Sequence, residues 1–66
     1  MNLNEIVSRL LKADKELLEL AAVIKPMIPE DAQRENNIWE AFNCVGGAGS
    51  AVVRARRAME RAINEL

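Results

Sequence analysis

Apolar residues recur in steps of four and three along two stretches of this chain, the pattern of helices that pack along a seam. In the first stretch the series is Leu3, Val7, Leu10, Asp14, Leu17, Ala21, Ile24, and Leu11, Leu18 and Leu20 widen the apolar face beyond a strict seam. Asp14 is its one polar member. It reads either as a boundary residue at the edge of a widened stripe or as a carboxylate paired with an arginine of another subunit. In the second stretch the series is Ile38, Phe42, Val45, Gly49, Val52, Arg56, Met59, Ile63, Leu66, apolar except at Gly49 and Arg56. Beside it runs Cys44, Ala48, Ala51, Ala55, Ala58, Ala62, in which every member is small. A helix with one large seam and one small seam needs two neighbours.

Local signals place the ends of these elements. Asn2 or Asn4 can cap the first helix, with Glu5 well placed in its first turn. Lys25-Pro26 ends it, because the residue before a proline is pushed out of the helical region. Met27 and Ile28 are apolar and are expected to fold back over the hairpin end. Pro29-Glu30-Asp31 restarts a helix, since proline suits the first turn and acids favour the N-terminal dipole. The expected fold is all-α: an antiparallel helical hairpin in one domain, 1–66, with a helix over about 3–25, a turn at 26–30 and a longer helix over about 31–65. Pairing the seams about that turn gives layers whose residue numbers sum to roughly 55. Leu17 then meets Ile38, Leu10 meets Val45 and Leu3 meets Val52. Arg56, Met59, Ile63 and Leu66 would overhang the first helix by about 20 Å. An exposed apolar stripe of this kind marks an interface. The expectation is a homo-oligomeric bundle assembled through Ala48, Ala51, Val52, Ala55, Met59, Ala62, Ile63 and Leu66.

Length and composition sharpen this. A chain of 66 residues sits near the lower limit for folding alone, and small folds add disulfides, a metal or oligomerisation. One cysteine allows no intrachain disulfide, and without histidine or a cysteine cluster a zinc site is not expected. Oligomerisation is the remaining route. The single thiol fits a reducing cytoplasm. Neither a signal peptide nor an apolar run of membrane-spanning length is visible, so the chain is expected to be soluble and intracellular. The net charge of −1 argues against a general nucleic-acid binder, and DNA is not an expected partner. Charge is uneven, however: residues 50–66 carry four arginines against Glu60 and Glu65.

The segment Val45-Gly46-Gly47-Ala48-Gly49-Ser50 allows two readings. If the helix continues, the heptad phase is kept and three glycines cost about 1 kcal/mol each relative to alanine. Close approach of a neighbouring helix or a ligand would offset that cost. If the helix breaks at 46–50, Ser50 caps a new helix and the glycines form a nest of amides able to hold a phosphate. The spacing of a P-loop is absent, and no lysine follows.

Candidate chemistry is sparse. With no histidine and no tyrosine, and with Ser8 and Ser50 lacking a base, enzymatic catalysis is not expected, and no cofactor is implied. Cys44, on the small seam, reads as a buried inert residue. Arg54, Arg57 and Arg61 step by three and four and form an exposed stripe. Arg56 occupies a seam position, where it can snorkel, pair with an acid or present its fork to an anion. In a symmetric oligomer its copies could converge with the glycines on an anion site between subunits. Trp39 reads as core packing or as a stacking surface for a planar ligand. The candidate ligand residues are thus Arg56, Gly46, Gly47, Gly49, Ser50 and Trp39.

A short helix, a proline-containing turn, Arg34-Glu35, and an Ala-rich helix carrying Arg57-Ala58-Met59-Glu60-Arg61-Ala62 resemble the small phage proteins that sequester cyclic oligonucleotide immune signals. That resemblance implies an oligomerising hairpin that binds nucleotides between subunits. The family's Thr-Lys-Leu-Glu-Glu-Ala segment and its late tryptophan are absent, so of its ligand residues only Arg34 carries over. The architecture also resembles Rop, the plasmid copy-number regulator, which implies RNA binding. The leading expectation is a non-enzymatic cytoplasmic protein that sequesters a small anionic ligand such as a cyclic nucleotide, its partner being itself. The alternatives are a small phage or bacterial inhibitor or adaptor that binds a host protein through the C-terminal helix, and a Rop-like RNA binder.

Overall fold

The computed structural model describes residues 1–33 and 35–66. Helix α1 runs over Leu3–Ile24 and helix α2 over Asn37–Asn64, and no strand occurs among the described residues. Both starts are fixed by asparagine. The Asn2 side-chain oxygen accepts from the Glu5 amide at 2.8 Å, and that of Asn36 accepts from the Trp39 amide at 3.0 Å. Each satisfies an amide that the first helical turn leaves without a partner. At Pro26 the chain does not leave the helical region abruptly. Lys25 keeps right-handed helical dihedrals (φ −50°, ψ −49°), and the chain tightens into a 3-10 turn over Lys25–Met27. Ile28 folds back and is half-buried, whereas Met27 stays 60% exposed.

The second helix starts later than its sequence signals predict. Pro29-Glu30-Asp31 closes a turn, with the Ala32 amide donating to the Pro29 carbonyl at 3.0 Å, and does not open a helix. Asn36 competes successfully as the cap because its side chain reaches an amide, whereas Pro29 and Asp31 sit in a turn that closes on itself. The connection is therefore longer, and the pairing of the helices shifts by three turns. One groove between the helices is lined by Asp14, Leu17 and Ala21 from α1 and by Val45, Gly49 and Val53 from α2. Paired layers thus have numbers that sum to roughly 66 instead of roughly 55.

This register removes the overhang. Arg56, Met59 and Ile63 are half-buried within the chain, like Leu3, Val7 and Leu10 at the other end of α1. Only Leu66, 96% exposed, extends free. The seams themselves are as the periodicity predicts: every member of the α1 series and Phe42, Val45, Gly49, Val52, Arg56, Met59 and Ile63 of α2 are half-buried. Ile38 is the exception, more exposed than its neighbour Trp39, which takes the inward place in the first turn of α2.

Two helices side by side cannot enclose a core. The molecule measures 51 × 17 × 14 Å, and none of the described residues is fully buried. Its radius of gyration is 15.2 Å, against about 11 Å for a compact domain of this length. Leu11, Leu18, Leu20 and Val23 all lie exposed along α1.

Candidate functional site

The helix continues through the glycine segment: Val45 to Ser50 all lie inside α2, and no glycine has a positive φ. The nest of amides that a break would create does not form. Nothing in the hairpin requires these glycines. A Cβ added at Gly46, Gly47 or Gly49 would meet no atom within 4 Å beyond its own helical surroundings. Alanine would fit at each position and would favour the helix by about 1 kcal/mol.

Gly46 and Gly49 instead line the α2 wall of an open groove of about 400 Å³. Its other walls are Leu17, Leu18 and Ala21 from α1 and Val45 and Val53 from α2. Polar groups enter at Asp14, Ser50, Arg54 and Arg57. The groove is thus apolar along most of its length, with an acid and two arginines at one end. Its volume falls in the range of small-molecule clefts, which are mainly apolar with a few placed polar groups. Among the described residues neither Asp14 nor either arginine makes an ion pair.

The other sequence candidates lie elsewhere. Arg56 is directed along its own helix, where Nη1 donates to Glu60 Oε1 at 2.9 Å. Its aliphatic stem lies in the seam and its Nε is buried without a hydrogen-bond partner among the described residues. This is snorkelling: the seam covers the methylenes and the fork reaches out to an acid one turn away. Arg56 therefore does not share the groove with Gly46, Gly49 and Ser50. Gly47 is exposed and also lies outside the groove. Trp39 is half-buried near the hairpin end and borders a separate shallow depression with Ala32, Gln33 and Glu35. Arg34 lies outside the described residues.

Cys44 is exposed, contrary to its reading as a buried residue. The small seam to which it belongs faces solvent in the single chain: Ala48, Ala51, Ala55 and Ala58 are exposed too, and Ala62 alone is half-buried. The reason is that a hairpin gives α2 one neighbour, and the larger seam occupies it. Of the groove, sequence reasoning identified Gly46, Gly49 and Ser50 but missed Leu18, Val53, Arg54 and Arg57 as its lining. The signal was present, since Gly46, Val53 and Arg57 stand seven and four residues apart on one face, adjacent to the seam. Compared with protein-family models, with curated proteins and with solved structures, the chain matches none.

Proposed function

We propose that this chain is a non-enzymatic binding protein that works as a homo-oligomer in the cytoplasm and holds a small anionic ligand, of cyclic-nucleotide type, beside the glycine segment. The observation that carries this reading is the groove, in which Gly46, Gly49 and Ser50 come together with Arg54 and Arg57. Arg54 and Arg57 take the part that the seam position had reserved for Arg56. Their guanidinium groups are exposed, unpaired among the described residues and one turn apart, which suits a phosphate. Ser50 adds a hydroxyl one turn before Arg54. No helix among the described residues is long and apolar enough to cross a membrane, which is compatible with this reading.

The test is calorimetric titration with cyclic AMP and a cyclic dinucleotide, with inorganic phosphate as control. The expected result is saturable binding of a nucleotide that is lost in Arg54→Glu/Arg57→Glu at unchanged helicity. Binding unaffected by that double variant, or no binding of either nucleotide, overturns the ligand assignment. A second reading, an inhibitor or adaptor that takes a helix of another protein, is favoured by the apolar length of the same groove. It predicts a monomer that gains helicity only with its partner.

A further inference from the structure

The geometry points to a second copy of this chain as the occupant of the Leu18–Gly46 groove, in a two-fold dimer whose axis runs along the helices. The inference rests on the homo-oligomer of the proposed function and deepens it by naming the face, the order and the pairs. The first argument is area. The chain exposes 5242 Å², whereas a folded monomer of 7.3 kDa exposes about 4,200 Å². The excess, roughly 1,000 Å², is close to the 800 Å² or so that each partner contributes to a standard stable interface. A second hairpin laid on one face would remove it.

The second argument is shape. The two walls of the groove are unlike: α1 presents Leu17 and Leu18, and α2 presents Gly46, Gly49 and Ser50. Leu18 is 65% exposed and projects without a socket, whereas the glycines form a hollow that no side chain of the chain enters. Large residues on one helix and absent side chains on the other form a self-complementary face. A two-fold axis parallel to the helices turns one groove onto the other while preserving height along the bundle. Each α1 then faces the partner's α2, antiparallel to it. Leu18 of each copy enters the other's Gly46–Gly49 hollow, and a contact made once is made twice, as a closed two-fold interface requires. The glycines, which cost helix stability and serve nothing within one chain, thereby gain a close approach.

The third argument is charge. At the heights that this arrangement preserves, Asp14 of each copy comes opposite the arginine end of the other groove. Asp14 then stands beside the rim on which Arg54 and Arg57 lie, and both arginines stay on the outer edge of the filled hollow, where the anion of the proposed function sits. A two-fold axis perpendicular to the helices, in the plane of the interface, would instead set α1 on α1 and α2 on α2 and leave the leucines of one copy against those of the other.

Disulfide trapping between two differently labelled variants tests the arrangement, in a Cys44→Ser background and with the molecular mass in solution measured alongside. Leu18→Cys in one chain and Ser50→Cys in the other are mixed and oxidised. The expected result is a mixed covalent dimer formed at least tenfold faster than one between Ala51→Cys and Ala58→Cys, which lie on the small seam. Gly49→Leu, which fills the hollow, is expected to weaken self-association at least tenfold, with helical content undiminished when both proteins are compared at concentrations where they are dimeric. An oligomer that cross-links through the small seam and tolerates Gly49→Leu overturns the groove dimer while leaving the homo-oligomer standing. A monomer at all concentrations overturns both.

Discussion

The two helices of this hairpin begin alike and are built differently. Each starts with an asparagine whose side chain accepts an amide three residues on. Beyond that first turn α1 carries leucines all round its inner half, with Leu11, Leu18 and Leu20 left over after the seam is filled. Helix α2 carries one main row of large residues and has glycine, alanine and arginine at most of its other positions from Gly46 on. The surplus bulk of one helix and the missing bulk of the other have no use within a two-helix layer. In the proposed dimer they would fit each other between chains, so the asymmetry of the monomer is what that arrangement uses.

Perturbations of the two helices should therefore differ in kind. The largest effect is expected within the seam, where Leu17→Ala removes apolar contact shared by both helices. It should lower stability by about 2 kcal/mol, near the low end for buried leucines because the site is only half-buried, as read from urea unfolding. Next come the glycines, where the sign depends on the position. Gly47→Ala should raise stability by about 1 kcal/mol with self-association unchanged, because it faces solvent outside the groove. Gly46→Ala with Gly49→Ala should raise the helicity of the dilute chain and weaken its self-association, as seen by circular dichroism and sedimentation in parallel.

Capping comes third. Asn36→Ala should cost about 1 kcal/mol and shorten α2 at its start, whereas Asp31→Ala should change stability by less than about 0.3 kcal/mol. The opposite ranking would mean that the helix begins near Asp31 and that the three-turn shift in pairing is wrong. The smallest effect belongs to Arg56. Its pair with Glu60 has the less favourable order for a helix and contributes only about 0.3 kcal/mol. Arg56→Leu, which removes a buried unpartnered nitrogen from the seam, should leave thermal stability equal or slightly higher.

The seams were legible in the sequence because heptad spacing is a property of each helix alone. Every predicted member of α1, and all of α2 from Phe42 to Ile63, faces the partner helix. Register was not legible, because it depends on where α2 begins, and Pro29, Asp31 and Asn36 are all acceptable starts by local rules. A start at Pro29–Asp31 implies an earlier pairing and an overhang, and the Asn36 cap removes both. The glycine segment was half legible: its helical phase was readable, but its emptiness was not, since whether a neighbour approaches depends on the register. The direction of Arg56 was not legible either. A seam arginine can turn either way along its helix, and Glu60 four residues on decides the matter locally. Cys44 followed the small seam to the outside, because one hairpin supplies one neighbour and two seams compete for it.

Sedimentation equilibrium of the purified chain over a wide concentration range tests the central claim most directly, since the proposed dimer requires that one hairpin is not the finished molecule. The account predicts twice the 7.3 kDa chain mass at micromolar concentration, with helicity that falls as the dimer dissociates. A well-folded species at 7.3 kDa across the whole range, with helicity independent of concentration, would contradict it.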